Sequence, residues 1–269
     1  MKKQEKKEWI QKNKSKWITL GVGLTLLVLG IVLTVVTRAG ALAENAANGS
    51  KLPFALGLIM ILLGIVIPMV GAKTEKKKTD VRTLAMAALF AALCYIGFTY
   101  CKIDIPVGME KTAFHLGNVF CVLAALFLGG LWGGMAGAVG MTIADLTTAY
   151  VTSAPKTFLL KLCIGLITGF VAHKIFKLSQ DREDRKLPLT AATAISCAAG
   201  MAFNIVADPL VGYFYKMYVL GVPQEAANIW AKIGAVTTSV NAVVAVVAAT
   251  ILYVALRKAM KRTNLMPKL

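Results

Sequence analysis

The stretch FHLGNVFCVLAALFLGGLWGGMAGAVGMTIADL, residues 114–146, has no Lys, Arg, Asp or Glu and no further His between His115 and Asp145. A run this long and apolar belongs in lipid, where roughly 20 residues suffice for one helical crossing. Its middle carries Gly129, Gly133 and Gly137, shadowed by Gly130 and Gly134, all at four-residue spacing. Small residues at that spacing line one face of a helix and let backbones approach closely. The stretch therefore reads as two short, glycine-rich helices, near 117–130 and 131–149, whose glycines serve packing within the protein.

The rest of the chain repeats the message. Of 269 residues, 57% are hydrophobic and 16% charged, and the mean hydropathy is +0.68. A soluble domain of this length is far less apolar. Further spans are expected at Trp17–Thr37, Leu52–Ala72, 83–101, 155–177, 188–218 and 228–256, making eight in all. The first is a retained helix rather than a cleaved leader, because it is long and lacks a small-residue cleavage site. The span at 188–218 is too long for one simple crossing and contains Asp208-Pro209, so a break or bend is expected there. The first hairpin is plain Leu, Val, Ile and Gly, whereas later spans mix in aromatics and polar groups. Two regions follow: 1–82, comprising a basic tail, a transmembrane hairpin and a basic linker, and 83–269, a six-helix membrane domain with a basic tail.

A formal charge of +17 raises the question of nucleic acid, but the cations sit in short tracts beside apolar runs, without interleaved aromatics. The tail 1–16, the linker 73–82, the loop 174–186 and the end 257–269 together hold 22 of the 30 Lys and Arg. That bias places these tracts and both termini in the cytoplasm, and the loops 102–116, 150–155 and 219–227 outside. A multi-pass protein of the cell membrane is expected.

Five cysteines lie in or beside apolar segments with no CxxC pair, and no His, Asp or Glu grouping has metal-ligand spacing. There is no GxSxG elbow, no HExxH and no phosphate loop. Neither an enzyme, a resident cofactor nor an intrinsic ATPase is expected.

An ionisable group within a span is costly and marks function. Asp145, Lys156, Lys161, Asp208, Lys216 and Lys232 are such groups, all toward the outer half. Asn118, Asn204, Asn241, Tyr150, Tyr213, Tyr215 and Trp230 share that half, and His115 opens the helix that carries Asn118. One outward pocket for an organic ligand, held by stacking and a few hydrogen bonds, accounts for the clustering. The bland alternative is an interfacial belt of Tyr and Trp with snorkelling lysines. On the helix beginning near Thr83, Ala87-x-x-x-Ala91 and Ala88-x-x-x-Ala92 form a smooth strip suited to another membrane subunit.

Phe114-His115-Leu116-Gly117-Asn118, Ala124 to Gly129, Gly133-Gly134-Met135-Ala136-Gly137, Ala144-Asp145-Leu146 and Ala154-Pro155-Lys156-Thr157-Phe158, in this order and spacing, resemble one family. Residues 83–256 are similar to the substrate-binding S component of energy-coupling factor (ECF) transporters, in the branch of riboflavin and other vitamin carriers. The resemblance implies a six-helix fold with an outward pocket for a vitamin or cofactor precursor. It also implies a transmembrane coupling subunit, docked on Ala87, Ala88, Ala91 and Ala92, and a pair of cytoplasmic ATPases. It places the loops 102–116 and 150–155 over the ligand, with Asp145, Lys156, Asn204 and Asp208 nearby. The extra N-terminal hairpin departs from the family pattern. A solitary ion-coupled transporter using Asp145 or Asp208, and a membrane scaffold protein, are the two alternatives; the first predicts uptake without ATP and the second no saturable binding.

Overall fold

A computed structural model describes residues 80–107, 110–180 and 187–263, with isolated helical positions between 22 and 29. The expected N-terminal transmembrane hairpin lies otherwise outside the described residues. The main compact unit comprises residues 78–213 and 223–269. Residues 214–222 fall in a second unit, where the rings of Phe214 and Tyr218 stack with centroids 6.1 Å apart.

Helix α1 (Val81–Thr99) starts where the Asp80 carboxylate accepts a hydrogen bond from the Arg82 backbone N–H. A β-hairpin follows, with β1 (Lys102–Val107) antiparallel to β2 (Glu110–His115) and Lys102 opposite His115. Helix α2 (Gly117–Leu146) comes next, then a 3-10 turn at Val151–Ser153 and helix α3 (Ala154–Phe170), which ends in a π turn at Val171–Ile175. Helices α4 (Leu189–Tyr218) and α5 (Gln224–Arg262) complete the described chain. Among the described residues, five helices are long and apolar enough to cross a membrane. The chain is a mostly helical, multi-pass membrane protein.

Helix α2 is two arms rather than one rod. Gly129 has φ 79° and ψ 172°, a conformation open in practice only to glycine. Gly133 lies against the backbone of Ala125, and Gly137 against Cys121. Along a straight helix residues eight and sixteen apart are about 12 and 24 Å distant, so these contacts require the chain to reverse at Gly129. The arms 117–128 and 130–146 are therefore antiparallel, as the division near residue 130 anticipates. Gly134 meets Gly165 of α3, and Gly140 meets the Ala91 backbone of α1. Lipid offers no hydrophobic driving force between helices, so close backbone packing of this kind supplies much of the association. Phe90, Phe127 and Tyr253 extend the core from α1 through α2 to α5, with ring centroids 6.0 and 4.8 Å apart.

Three expectations change. Residues 102–115 form a hairpin, not an irregular loop; Ile103, Ile105 and Val107 alternate with Lys102, Asp104 and Pro106 in the period-two pattern of a strand. Of the break or bend expected at Asp208-Pro209, the break is absent: helix α4 is one continuous helix there. Proline withholds one N–H from the ladder, a loss that neighbouring helices in a membrane protein can absorb. Helix α5 is longer at both ends than 228–256; its 39 residues rise about 58 Å, nearly twice the hydrocarbon thickness of about 30 Å.

Candidate functional site

Four ionisable side chains meet between α2, α3 and α4. The Lys156 ammonium donates to Asp208 Oδ1 at 2.7 Å, and the Thr238 hydroxyl of α5 donates to Asp208 Oδ2 at 2.8 Å. Asp145, at the end of α2, receives a hydrogen bond from Thr157 and lies within electrostatic reach of Lys156, Lys161 and Asp208. Lys161 sits one and a half turns below Lys156 on α3, 6% exposed, and interacts with Asp208, Asp145 and Cys121. Two cations and two carboxylates balance, which is what a low-dielectric interior demands of buried charge.

The hydrogen bonding does not balance. Asn118 and Asp145 are 2% exposed and Asn204 1%, yet Asn118 Oδ1, Asp145 Oδ2 and Asn204 Oδ1 are buried with no hydrogen-bond partner among the described residues. Asn204 stands one turn before Asp208, on the same face of α4. Asn118 stands one turn before Cys121, whose thiol faces the Lys161 carbonyl at 3.8 Å. Each unpartnered buried acceptor costs about 1–3 kcal/mol, so a group of them around charges is the sign of a site built for something else to complete.

His115 lies at the root of the hairpin, within reach of Lys161 and Asp208. Its ring packs edge-on against Phe98, centroids 4.7 Å apart, and Nδ1 is buried without a partner among the described residues. Burial, reinforced by the Lys161 and Lys102 charges, pushes its pKa down to about 3. The imidazole is thus neutral at ordinary pH. Phe98 also packs against Tyr150, centroids 5.5 Å apart. The Tyr150 hydroxyl donates to Asp104 of β1 at 2.9 Å, and Lys102 pairs with Asp104 at 3.3 Å while lying 4.9 Å from the Tyr150 ring centroid. Burial, then Asp104, holds the Tyr150 phenol above its usual range.

The sequence-derived residues divide accordingly. Asp145, Lys156, Lys161 and Asp208 come together, with Asn118, Asn204 and His115 at their margin. Tyr150 belongs to the hairpin's charged edge. Trp230 on α5 donates its indole N–H to the Val107 carbonyl at 3.0 Å, so it holds the hairpin. Tyr213 is half-buried on α4, beyond Asp208. Thr157, Thr238 and Phe98 were not legible as site residues; the only sequence signal for the threonines is that buried carboxylates need donors. The alanine strip also divides. Ala87 is buried and Ala91 is packed on Gly140, whereas Ala88 and Ala92 are exposed. Ala88 and Ala92 therefore face outward, Ala91 lies at the edge of that face, and Ala87 is turned into the protein.

A family model for the S component of ECF-type riboflavin transporters matches residues 78–258. The chain belongs to that family. The match spans the elements from α1 onward except the last turn of α5, residues 259–262, and it gives the buried polar cluster its context: an S component is the subunit that binds the transported substrate. No curated protein and no solved structure matches the chain. In this S component the hairpin, α3, α4 and α5 converge at one end of the membrane domain, around the cluster.

Proposed function

We propose that this S component captures riboflavin or a closely related vitamin precursor at the hairpin end, which faces outside. The ligand passes inward when a coupling subunit and two ATPases, bound from the membrane and the cytoplasm, act on it. The domain 83–269 carries the binding, and the segment 1–82 is an accessory to it. The observation that carries this reading is the set of buried, unpartnered acceptors around Lys161 in a chain of this family. A flat heterocycle with N–H donors and carbonyl acceptors would satisfy Asn118, Asn204 and Asp145 and accept from Lys161, while Phe98 and His115 offer ring faces. Orientation follows from the charges, since Arg257, Lys258, Lys261 and Arg262 crowd the far end of α5. On the same reading Ala88 and Ala92 provide the outward strip for the coupling subunit.

The test is a thermal-shift titration of the purified protein in detergent with riboflavin and other vitamins, because a ligand specific for the folded state raises its apparent stability. A selective rise with riboflavin, reduced at least tenfold in apparent affinity by Lys161→Met, is the expected result. A folded sample indifferent to every vitamin removes the reading. Uptake that persists without ATP and collapses with the ion gradient would instead favour an autonomous carrier.

A further inference from the structure

The hairpin is fastened to α5 along its whole length. Asn241 uses both ends of its amide: Oδ1 accepts from the His115 backbone N–H and Nδ2 donates to the Ala113 carbonyl, each at 3.0 Å. Thr237 and Thr112 share a hydrogen bond at 3.0 Å between their hydroxyls. Trp230 holds the Val107 carbonyl. The attachments run from the root of the hairpin to its tip in reverse order along the helix. Eleven residues of helix from 230 to 241 rise about 16 Å, and five strand steps from 110 to 115 about 17 Å. The hairpin therefore lies along α5 in matched register.

Asn241 does what a third strand would do. In an extended strand the N–H of one residue and the C=O two before it point to the same side, and β2 presents those of His115 and Ala113 away from β1. A primary amide satisfies both at once; a carboxylate would repel the Ala113 carbonyl, and an aliphatic side chain would leave both groups bare. The opposite edge of the hairpin is different in kind. Its fastening is the Lys102, Asp104 and Tyr150 group, with Lys102 and Asp104 side chains 16% and 33% exposed. Ion pairs that reach water are worth little and weaken with salt.

We infer that Asn241, Thr237 and Trp230 are positioning residues that make α5 the fixed side of the hairpin, so that ligand passes only when the Lys102–Asp104–Tyr150 edge lifts. This rests on the proposed binding of a riboflavin-like ligand beneath the hairpin. Asn241, through the two backbone bonds flanking the root, sets the place of the His115 ring and thus how long a ligand is retained.

Stopped-flow quenching of riboflavin fluorescence by the purified protein separates the possibilities. Asn241→Leu should speed dissociation about 10- to 100-fold with association changed less than threefold. Asp104→Asn should speed association and dissociation together, by about threefold, and added salt should do the same to wild type but not to this variant. Thr112→Cys combined with Thr237→Cys, oxidised to a disulfide, keeps the α5 side closed without removing it. Oxidation should leave both rates within threefold of the reduced double variant, because the moving edge is the other one. If oxidation instead stops exchange and reductant restores it, α5 is the moving edge and the inference is wrong. It also fails if Asn241→Leu is folded, by its unliganded melting curve, and releases riboflavin at the wild-type rate. Absence of quenching in wild type would count against the ligand, and hence against the proposed function itself.

Discussion

The glycine-packed centre and the polar cluster are both buried in the same membrane domain, and they are finished to different degrees. Around Gly129, Gly133 and Gly134 the backbones of α2 and α3 close directly on each other. At the polar cluster Asn118 Oδ1, Asp145 Oδ2 and Asn204 Oδ1 are without hydrogen-bond partners among the described residues. The first region is complete as a structure. On the proposed reading the second is completed by the donors of a ligand, so that packing and binding fall to different residue types within one bundle.

Breaking the first region should have the largest effect. Gly133→Leu drives a side chain into the Ala125 backbone, and no rotamer relieves an overlap with main chain; the expected result is loss of the monodisperse, folded peak in detergent size-exclusion chromatography. Ala at this position should already be severe. A folded Gly133→Leu protein would show that the two arms of α2 are not held at this distance.

Next comes the satisfied part of the cluster. Asp208→Ala leaves Lys156 buried without its partner, at a cost of about 3 kcal/mol, seen as a fall in the unliganded melting temperature together with lost ligand response. Asp208→Leu with Lys156→Met removes both charges and should recover most of the stability while binding stays lost. Equal stability of the single and double variants would mean that the pair carries no coupling.

The comparison is sharpened most by Asn204→Leu. Here an unpartnered amide oxygen is exchanged for an apolar group of similar size, so the unliganded protein should become more stable by about 1 kcal/mol, while ligand affinity falls at least tenfold. A loss of unliganded stability would show that Asn204 belongs to the finished region after all.

The smallest effect is on pH. The folded chain holds His115 near about 3, below its ordinary 6.5, so the unfolded chain takes up the proton first as pH falls. Stability is then whole above about 6.5 and declines as pH drops from 6.5 toward 3. Melting curves between pH 7 and 5 should show this decline, and His115→Phe should flatten it.

Much of this was legible before any coordinates. The four-residue glycine spacing, the division near residue 130, and the rule that intramembrane charge is functional located the packed centre and Asp145, Lys156, Lys161 and Asp208. The hairpin was not, because two six-residue strands between long apolar runs give a weak signal; Ile103-x-Ile105-x-Val107 carried it, but polar flanks read as loop. Pro209 does not interrupt α4, since the penalty known from helices in water is smaller where neighbouring helices surround the freed carbonyl. The alanine pairs differ in exposure, Ala88 and Ala92 outward and Ala87 buried, a difference that spacing alone does not reveal. Trp230 and Tyr150 were found as polar-tipped aromatics, but their partners are strand atoms, which no periodicity in a helix reveals.

The length of α5 has a mechanical consequence. A stiff rod of about 58 Å that tilts by about 5° about its centre moves by about 2 Å at the level of Trp230. The 3.0 Å hydrogen bond from the Trp230 indole N–H to the Val107 carbonyl does not survive a stretch of that size, so the hairpin tip must either travel with the rod or part from it. The helix thus has the form of a lever, one arm fastened to the hairpin and the other ending where Arg257 donates to the Leu178 carbonyl at 2.9 Å.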